Sequence, residues 1–313
     1  MSALLFPGQG SQVVGMGSEF FSKFEIVKKI FDQADNKLNY RISKLILEGP
    51  ENELQLTENT QPAILTVSYS IFKVLKEEFD FKLDVFKFFA GHSLGEYSAL
   101  VCADSLKFED AIYLLNERGK AMQQAVPVGK GSMIAVLGVS IEELNDLLKL
   151  NNQKEGVCEI ANDNANGQVI LSGDKDTVNF FQNILKQKKI KSIPLKVSAP
   201  FHCSLMKPAA ESMENKINEV NFNKPSFEIL NNVTANSVTD PVNIKKLLIE
   251  QIYSTVKWRE SIIKMLEKGT KNFIEIGPGK ALSGMVKRTI KDSKTFSINS
   301  IDDIKKLINE FQK

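Results

Sequence analysis

Residues 91–100 read GHSLGEYSAL, and this stretch decides how the rest of the chain is interpreted. Gly91, Ser93 and Gly95 satisfy the pattern GxSxG, in which a serine lies on a strained turn between a strand and a helix. The pattern also occurs by chance, so the flanking elements must fit. The apolar run Val85–Ala90 predicts a buried strand before the turn, and apolar residues at helical spacing predict a helix after it. We therefore predict that Ser93 is a nucleophile rather than an ordinary turn residue.

Outward from this turn, the sequence alternates short apolar runs with helical patterns. Ala3–Phe6 predicts a strand that stops at PGQGSQ, and the helical segment that follows has Pro62 near its start. Residues 108–126 predict an amphipathic helix with Arg118 at the margin of its apolar stripe. We expect a mainly parallel sheet with its site at the carboxyl ends of the strands.

From Gly131 the pattern changes to strand, helix, two strands, helix and strand over about 65 residues. This βαββαβ order is typical of a ferredoxin-like domain. We predict a small domain over 129–197, inserted into a large α/β domain formed by 1–128 and 198–313. The tail after about Ser293 is short and polar, and we expect it to vary freely.

Composition excludes several classes of protein. The 313 residues are 42% hydrophobic, and 40 basic against 38 acidic side chains give a net charge of +2, which provides no footprint for nucleic acid. No apolar stretch approaches the ~20 residues that cross a bilayer. Cys102, Cys158 and Cys203 have no CxxC spacing and cannot all pair. We therefore expect a soluble protein in the reducing cytoplasm.

Cofactor motifs fail when their spacing is checked. A dinucleotide motif that starts at Gly8 has Val13 in place of its third glycine. GPGKA at Gly277 resembles a phosphate loop, but Ala281 follows the lysine where Ser or Thr is required. With only two histidines and scattered cysteines, a zinc site also lacks support. We expect no cofactor and no metal.

A serine nucleophile needs a base, and the chain has two candidates. His92 adjoins Ser93, where neighbouring side chains diverge, so it is a poor proton acceptor. His202 follows a predicted strand and titrates near neutrality when unperturbed. We predict His202 as the base, and the N–H of Leu94 at the helix start as a donor to the oxyanion.

Five motifs occur in the order FPGQGSQ, GHSLGEYSAL, ERGKAM, SAPFH and EIGPGK. From Leu4 to about Arg288 the chain resembles the bacterial malonyl-CoA:acyl carrier protein transacylases of fatty acid synthesis. The resemblance implies an α/β-hydrolase-like large domain with a ferredoxin-like insert. It also implies transfer of a malonyl group from malonyl-CoA to the phosphopantetheine thiol of acyl carrier protein, through a malonyl-serine. No metal or tightly held cofactor is implied.

The same resemblance assigns roles to individual residues. Ser93 becomes the acylated nucleophile, His202 its base, and Arg118 the group that binds the free carboxylate of malonate. Gln12 would supply the second oxyanion N–H beside Leu94, and the backbone carbonyl of Gln251 would orient the histidine. The substrate pocket would be formed by His92, Met122, Asn162, Asn164 and Phe201.

Phe201 resembles the bulky residue of malonyl-selective members, which would crowd a branched methylmalonyl group. Two alternatives stay open. A thioesterase or carboxylesterase would use the same serine and histidine but would have no use for a buried Arg118. A non-catalytic docking protein would bind acyl carrier protein without forming an adduct. We expect the protein to be a monomer.

Overall fold

The computed structural model describes residues 1–150, 155–195, 197 and 199–311. Its strands are β1 Ser2–Phe6, β2 Phe86–Gly91, β3 Gly131–Leu137, β4 Cys158–Ala165, β5 Gln168–Asp174, β6 Lys191–Pro194, β7 Glu228–Leu230, β8 Ser237–Val238, β9 Asn272–Ile276 and β10 Lys294–Ile298.

The first seven helices are α1 Ser18–Lys23, α2 Glu25–Leu38, α3 Ile42–Glu48, α4 Glu51–Leu54, α5 Thr57–Lys73, α6 Gly95–Cys102 and α7 Phe108–Gln124. The next seven are α8 Ile141–Leu150, α9 Lys175–Gln187, α10 Lys207–Glu219, α11 Pro241–Gln251, α12 Trp258–Glu267, α13 Ala281–Thr289 and α14 Ile301–Phe311. A π-helical segment, Val74–Glu78, extends α5, and short 3-10 helices lie at Leu83–Val85 and Ser204–Met206.

The larger sheet has six strands in the order β10-β9-β1-β2-β7-β8. Its strands run parallel except β8, which pairs antiparallel with β7. The central strand β1 is buried along its whole length, as its apolar sequence requires. Phe6 at the end of β1 pairs with Gly91 at the end of β2, so the two following loops meet at one edge of the sheet. The mainly parallel sheet is confirmed.

The second sheet is antiparallel and has the order β4-β5-β3-β6. With α8 and α9 it follows the predicted βαββαβ order, so the predicted fold class is confirmed. Successive side chains of β3 lie on opposite faces of this sheet. Ile134 and Val136 belong to a separate core, whereas Met133 and Ala135 pack on the main core. The division at 129 and 197 stays a prediction.

A short backbone bridge joins the second sheet to the loop before α12. Asp163 donates its N–H to the Val256 carbonyl at 3.0 Å, and Val256 donates to Ala161 at 2.8 Å. The Nε of Arg259 donates to both carboxylate oxygens of buried Asp163, each at 2.9 Å. This joint fixes β4 against the larger body, which determines where the side chains of β4 lie.

The carboxyl-terminal segment is ordered, so the expectation of a freely varying tail is wrong. β10 pairs along its length with β9, and α14 buries Ile301, Ile304 and Leu307 against the main core. These side chains recur at helical spacing, which gives α14 an apolar face that must be covered. Among the described helices, none is long and apolar enough to span a membrane.

Candidate active site

The turn between β2 and α6 holds Ser93 in a left-handed conformation with φ of 53°. Such a conformation costs a non-glycine residue about 1–3 kcal/mol and persists only where the surroundings enforce it. The flanking glycines allow the close packing that does so. A Cβ at Gly91 would overlap the Gly95 carbonyl, and a Cβ at Gly95 would overlap the Phe6 carbonyl. The GxSxG pattern therefore reflects a packing requirement.

Asn232, in the loop after β7, stabilises this turn with two hydrogen bonds from its side-chain amide. Its Oδ1 accepts the Ser93 N–H at 2.7 Å, and its Nδ2 donates to the Gly91 carbonyl at 2.8 Å. The Asn232 side chain is fully buried. The sequence alone does not indicate this residue, because an asparagine 139 residues from its partner carries no local signal.

We expect Asn232→Ala to lower the free energy of unfolding by about 2–4 kcal/mol, because two buried backbone groups would lose their partners. Urea unfolding followed by circular dichroism measures the change. Asn221→Ala is the matched control, since Asn221 is exposed and its effect should stay within about 0.5 kcal/mol. Equal unfolding midpoints for the two variants would contradict this role of Asn232.

His202 lies against the nucleophile, as the sequence predicted. Its Nε2 is 2.8 Å from Ser93 Oγ, and its Nδ1 is 2.9 Å from the backbone oxygen of Gln251. A carbonyl can only accept, so Nδ1 carries the proton and Nε2 is free to accept from the serine. Burial, together with the nearby charge of Arg118, lowers the pKa of His202 to about 3. The imidazole is therefore neutral and able to act as a base at physiological pH.

Arg118 of α7 points into the site and is 1% exposed. Its Nη1 donates to Gln61 Oε1 at 2.7 Å, and its Nη2 donates to Gln251 Oε1 at 2.8 Å and to Ser93 Oγ at 3.1 Å. In the described part of the chain these acceptors are all neutral, and Nε has none. No carboxylate contacts the buried guanidinium directly in the described part of the chain, which leaves it able to bind an anionic ligand.

Gln251, at the end of α11, contacts the site with both its backbone and its side chain. The backbone oxygen orients His202, as the resemblance implied. The side chain adds contacts that the sequence could not predict: Nε2 donates to Glu96 Oε2 at 2.8 Å and to the Ser93 carbonyl at 3.1 Å. Gln251 thus links the nucleophile, the base and the guanidinium.

A cavity of about 260 Å³ opens beside Ser93 between the two sheets. All five residues predicted for the substrate pocket line it, together with the nucleophile, the base and the arginine: His92, Met122, Asn162, Asn164 and Phe201. Met133, Ala135 and Ile170 of the second sheet form an apolar wall. The cavity therefore combines an apolar wall with a few polar groups that converge near the nucleophile, which is typical of ligand sites.

His92 is held away from proton transfer, as its position beside Ser93 suggested. Its Nε2 is 2.8 Å from Asn164 Oδ1, and its ring meets Trp258 edge to face at 5.6 Å between centroids. Burial lowers the pKa of His92 below its usual value. Both ring contacts fix His92 in the wall of the cavity.

The two predicted oxyanion donors differ in position. Leu94 lines the cavity, and its N–H has no acceptor among the described residues. Gln12 is not among the residues that line it, and its side-chain oxygen accepts the Gly10 N–H at 2.7 Å. Gln9 lines the cavity instead and follows Gly8, which packs on His92. The structure therefore does not bring Gln12 to the nucleophile.

Comparison with known proteins agrees with this geometry. A family model described as acyl transferase domain matches residues 3–311. The malonyl CoA-acyl carrier protein transacylase of Bacillus subtilis (strain 168) is 43% identical over 303 residues, which covers 96% of this chain and 94% of that protein. The protein of the same name from Haemophilus influenzae is 43% identical over 301 residues, with coverage of 96% and 95%.

Solved structures show the same likeness. The acyl-carrier-protein-S-malonyltransferase of Bartonella henselae superimposes with a TM-score of 0.96 at 38% identity and covers 100% of both chains. A malonyl-transacylase solved in complex with its type II PKS acyl-carrier protein gives 0.94 at 37% identity, with coverage of 98% of this chain and 99% of that one.

Proposed function

The chain belongs to the acyl transferase domain family, and we propose that it transfers the malonyl group of malonyl-CoA to the phosphopantetheine thiol of acyl carrier protein in fatty acid biosynthesis. One observation carries the assignment of its residues. A serine hydroxyl, a neutral imidazole and a guanidinium whose direct acceptors are all neutral meet in a single cavity. The first two perform acyl transfer, and the third selects an acyl group that carries a carboxylate.

In the first half-reaction, His202 Nε2 takes the proton of Ser93 as Oγ attacks the thioester carbonyl. The developing oxyanion is bound by the N–H groups of Leu94 and Gln9, and each such donor contributes about a hundredfold or more to the rate. Gln9 replaces Gln12 in this proposal because it lines the cavity. The carbon–sulfur bond then breaks, His202 returns its proton to the sulfur, and coenzyme A leaves.

The second half-reaction reverses these steps with a different thiol. The phosphopantetheine thiol gives its proton to His202 and attacks the malonyl-serine carbonyl. The carbon–oxygen bond breaks, and the proton returns to Ser93 Oγ. The carbonyl of Gln251 stabilises the transient imidazolium in both halves, since it accepts from Nδ1.

The malonyl carboxylate is bound by Arg118. Because Nε has no acceptor among the described residues, and Nη2 reaches the nucleophile, the guanidinium can present two donors to a carboxylate beside Ser93. Phe201 lines the same cavity and would crowd a branched acyl chain. We propose malonyl over methylmalonyl selectivity on this basis.

A two-step mass experiment tests the function. With malonyl-CoA alone, the intact protein should gain the mass of one malonyl group, and this adduct should outlast the loading reaction. Addition of holo acyl carrier protein should discharge the adduct and malonylate the carrier, whereas the apo carrier, which lacks the thiol, should leave it intact. Rapid loss of the adduct to water would favour a thioesterase, and no adduct would favour a docking protein.

The nucleophile, its base and the arginine are brought together within one chain, and we propose that the protein acts as a monomer. The three cysteines are free, and the cytoplasmic location expected from the sequence stays a prediction. Size-exclusion chromatography with light scattering measures the oligomeric state directly.

A further inference from the structure

The side-chain amide of Gln251 has two chemically opposite ends, and the site depends on which way they point. Oε1 accepts from Arg118 Nη2, and Nε2 donates to Glu96 Oε2 and to the Ser93 carbonyl. Rotation of the amide by half a turn would place its NH2 group against the guanidinium, donor facing donor. The observed orientation satisfies all three neighbours, and the acceptors on the Nε2 side help to hold the oxygen toward Arg118.

Glu96 occupies the position that can do this. It lies in the first turn of α6, three residues after the nucleophile, and is 2% exposed. Its Oε2 accepts from Gln251 Nε2 at 2.8 Å and from the Asn232 N–H at 3.0 Å. Glu96 does not line the substrate cavity, so no step of acyl transfer uses it directly. Burial of a carboxylate is unfavourable, so the position of Glu96 in the interior requires an explanation.

We propose that Glu96 is a positioning residue: its carboxylate fixes the Gln251 amide with the oxygen toward Arg118, which holds the guanidinium ready for the malonyl carboxylate. An ionised carboxylate can only accept hydrogen bonds, so it admits the Nε2 end alone. The inference rests on the proposed malonyl transfer. It assigns to Glu96 an effect on carboxylate recognition that acts through Gln251.

The protonation state of Glu96 supplies a second line of support. Burial raises the pKa of Glu96 to about 7, although bonds from Gln251 and Asn232 and the charge of Arg118 oppose the shift. Above this pH the carboxylate accepts from Nε2. Below it, the carboxyl can also donate to an amide oxygen, so Glu96 no longer selects the Nε2 end of the amide. The other ionisable groups that interact electrostatically with Glu96 are Arg118 and Tyr97. An arginine stays protonated in proteins, and burial raises the pKa of Tyr97 to about 12, so neither group titrates near pH 7.

A double-mutant cycle tests the path through the arginine. We expect Glu96→Met to raise the apparent KM for malonyl-CoA about 10- to 100-fold, the range of a lost hydrogen bond to a charged group, with a smaller change in kcat. In an Arg118→Ala background the same substitution should change malonyl loading less than about twofold, because no guanidinium remains to orient. Equal losses in both backgrounds would overturn the proposal and indicate a merely structural role.

The pH dependence of the KM for malonyl-CoA provides a second test, which remains valid if Glu96→Met folds poorly. The KM of the wild type for malonyl-CoA should rise as the pH falls from 8 to 6, with its inflection near 7, since protonation releases the amide. Glu96→Gln is nearly isosteric and should remove this inflection. An inflection that persists in Glu96→Gln, or a flat wild-type profile, would overturn the proposal. Absence of any malonyl adduct on the wild type would instead contradict the proposed function itself.

Discussion

Ser93→Ala is expected to abolish the malonyl adduct and to reduce malonyl transfer to acyl carrier protein by about a thousandfold or more, as removal of a catalytic serine does elsewhere. Alanine fits the left-handed turn no worse than serine, and the hydrogen bond from the Ser93 N–H to Asn232 is retained. The loss would therefore report chemistry rather than folding. Intact-protein mass after incubation with malonyl-CoA measures the adduct.

Ser98→Ala is the matched control. Ser98 lies on α6, the helix that follows the Ser93 turn, is fully buried, and its Oγ has no hydrogen-bond partner in the described part of the chain. Removal of the Ser98 hydroxyl should therefore leave the rate of malonyl adduct formation near that of the wild type. An adduct on Ser93→Ala at full stoichiometry would disprove the assignment of the nucleophile.

Arg118→Ala is expected to slow malonyl loading by about a hundred- to a thousandfold, the cost of truncating one partner of a buried charge pair. Loading from acetyl-CoA should fall less than about tenfold, because an acetyl group has no carboxylate for the guanidinium to bind. The ratio of the two loading rates, measured by intact mass over time, isolates carboxylate recognition from the chemical step.

Arg41→Ala controls for the loss of a positive charge. The Arg41 side chain is 80% exposed, and its ion pair with Asp35 is long, at 3.9 Å, so neither loading rate should change. If Arg118→Ala reduced malonyl and acetyl loading equally, the guanidinium would be supporting the nucleophile rather than the substrate. The 3.1 Å bond from Nη2 to Ser93 Oγ makes this alternative worth measuring.

Much of the fold could be predicted because its signals are local. The apolar runs of β1 and β2 and the βαββαβ order of the insert are periodic patterns that report burial directly. The segment that carries β7, β8, α11 and α12 shows no such clear pattern, and the average polarity of the tail conceals the apolar face of its helix. An amphipathic helix such as α14 is polar on average and apolar on one face.

The site was predictable where few candidates existed. Ser93 and His202 are 109 residues apart, yet with two histidines in the chain the base could be found by elimination. Glu96 and Asn232 could not be found, since their roles come from hydrogen bonds that only the fold creates. The sequence also does not indicate which glutamine of the loop after β1 faces the cavity, which Gln9 lines and Gln12 does not.

The alternation along β3 has a practical consequence for altering acyl-chain preference by directed evolution. Met133 and Ala135 face the cavity, while their neighbours Ile134 and Val136 face the interior of the insert. Libraries randomised at Met133 and Ala135 would change the shape of the acyl pocket and leave the core that contains Ile134 and Val136 unchanged. The turn that holds Ser93 does not tolerate such changes, because Gly91 and Gly95 have no room for a side chain. Selection for new acyl specificities should therefore begin with the cavity residues of the antiparallel sheet.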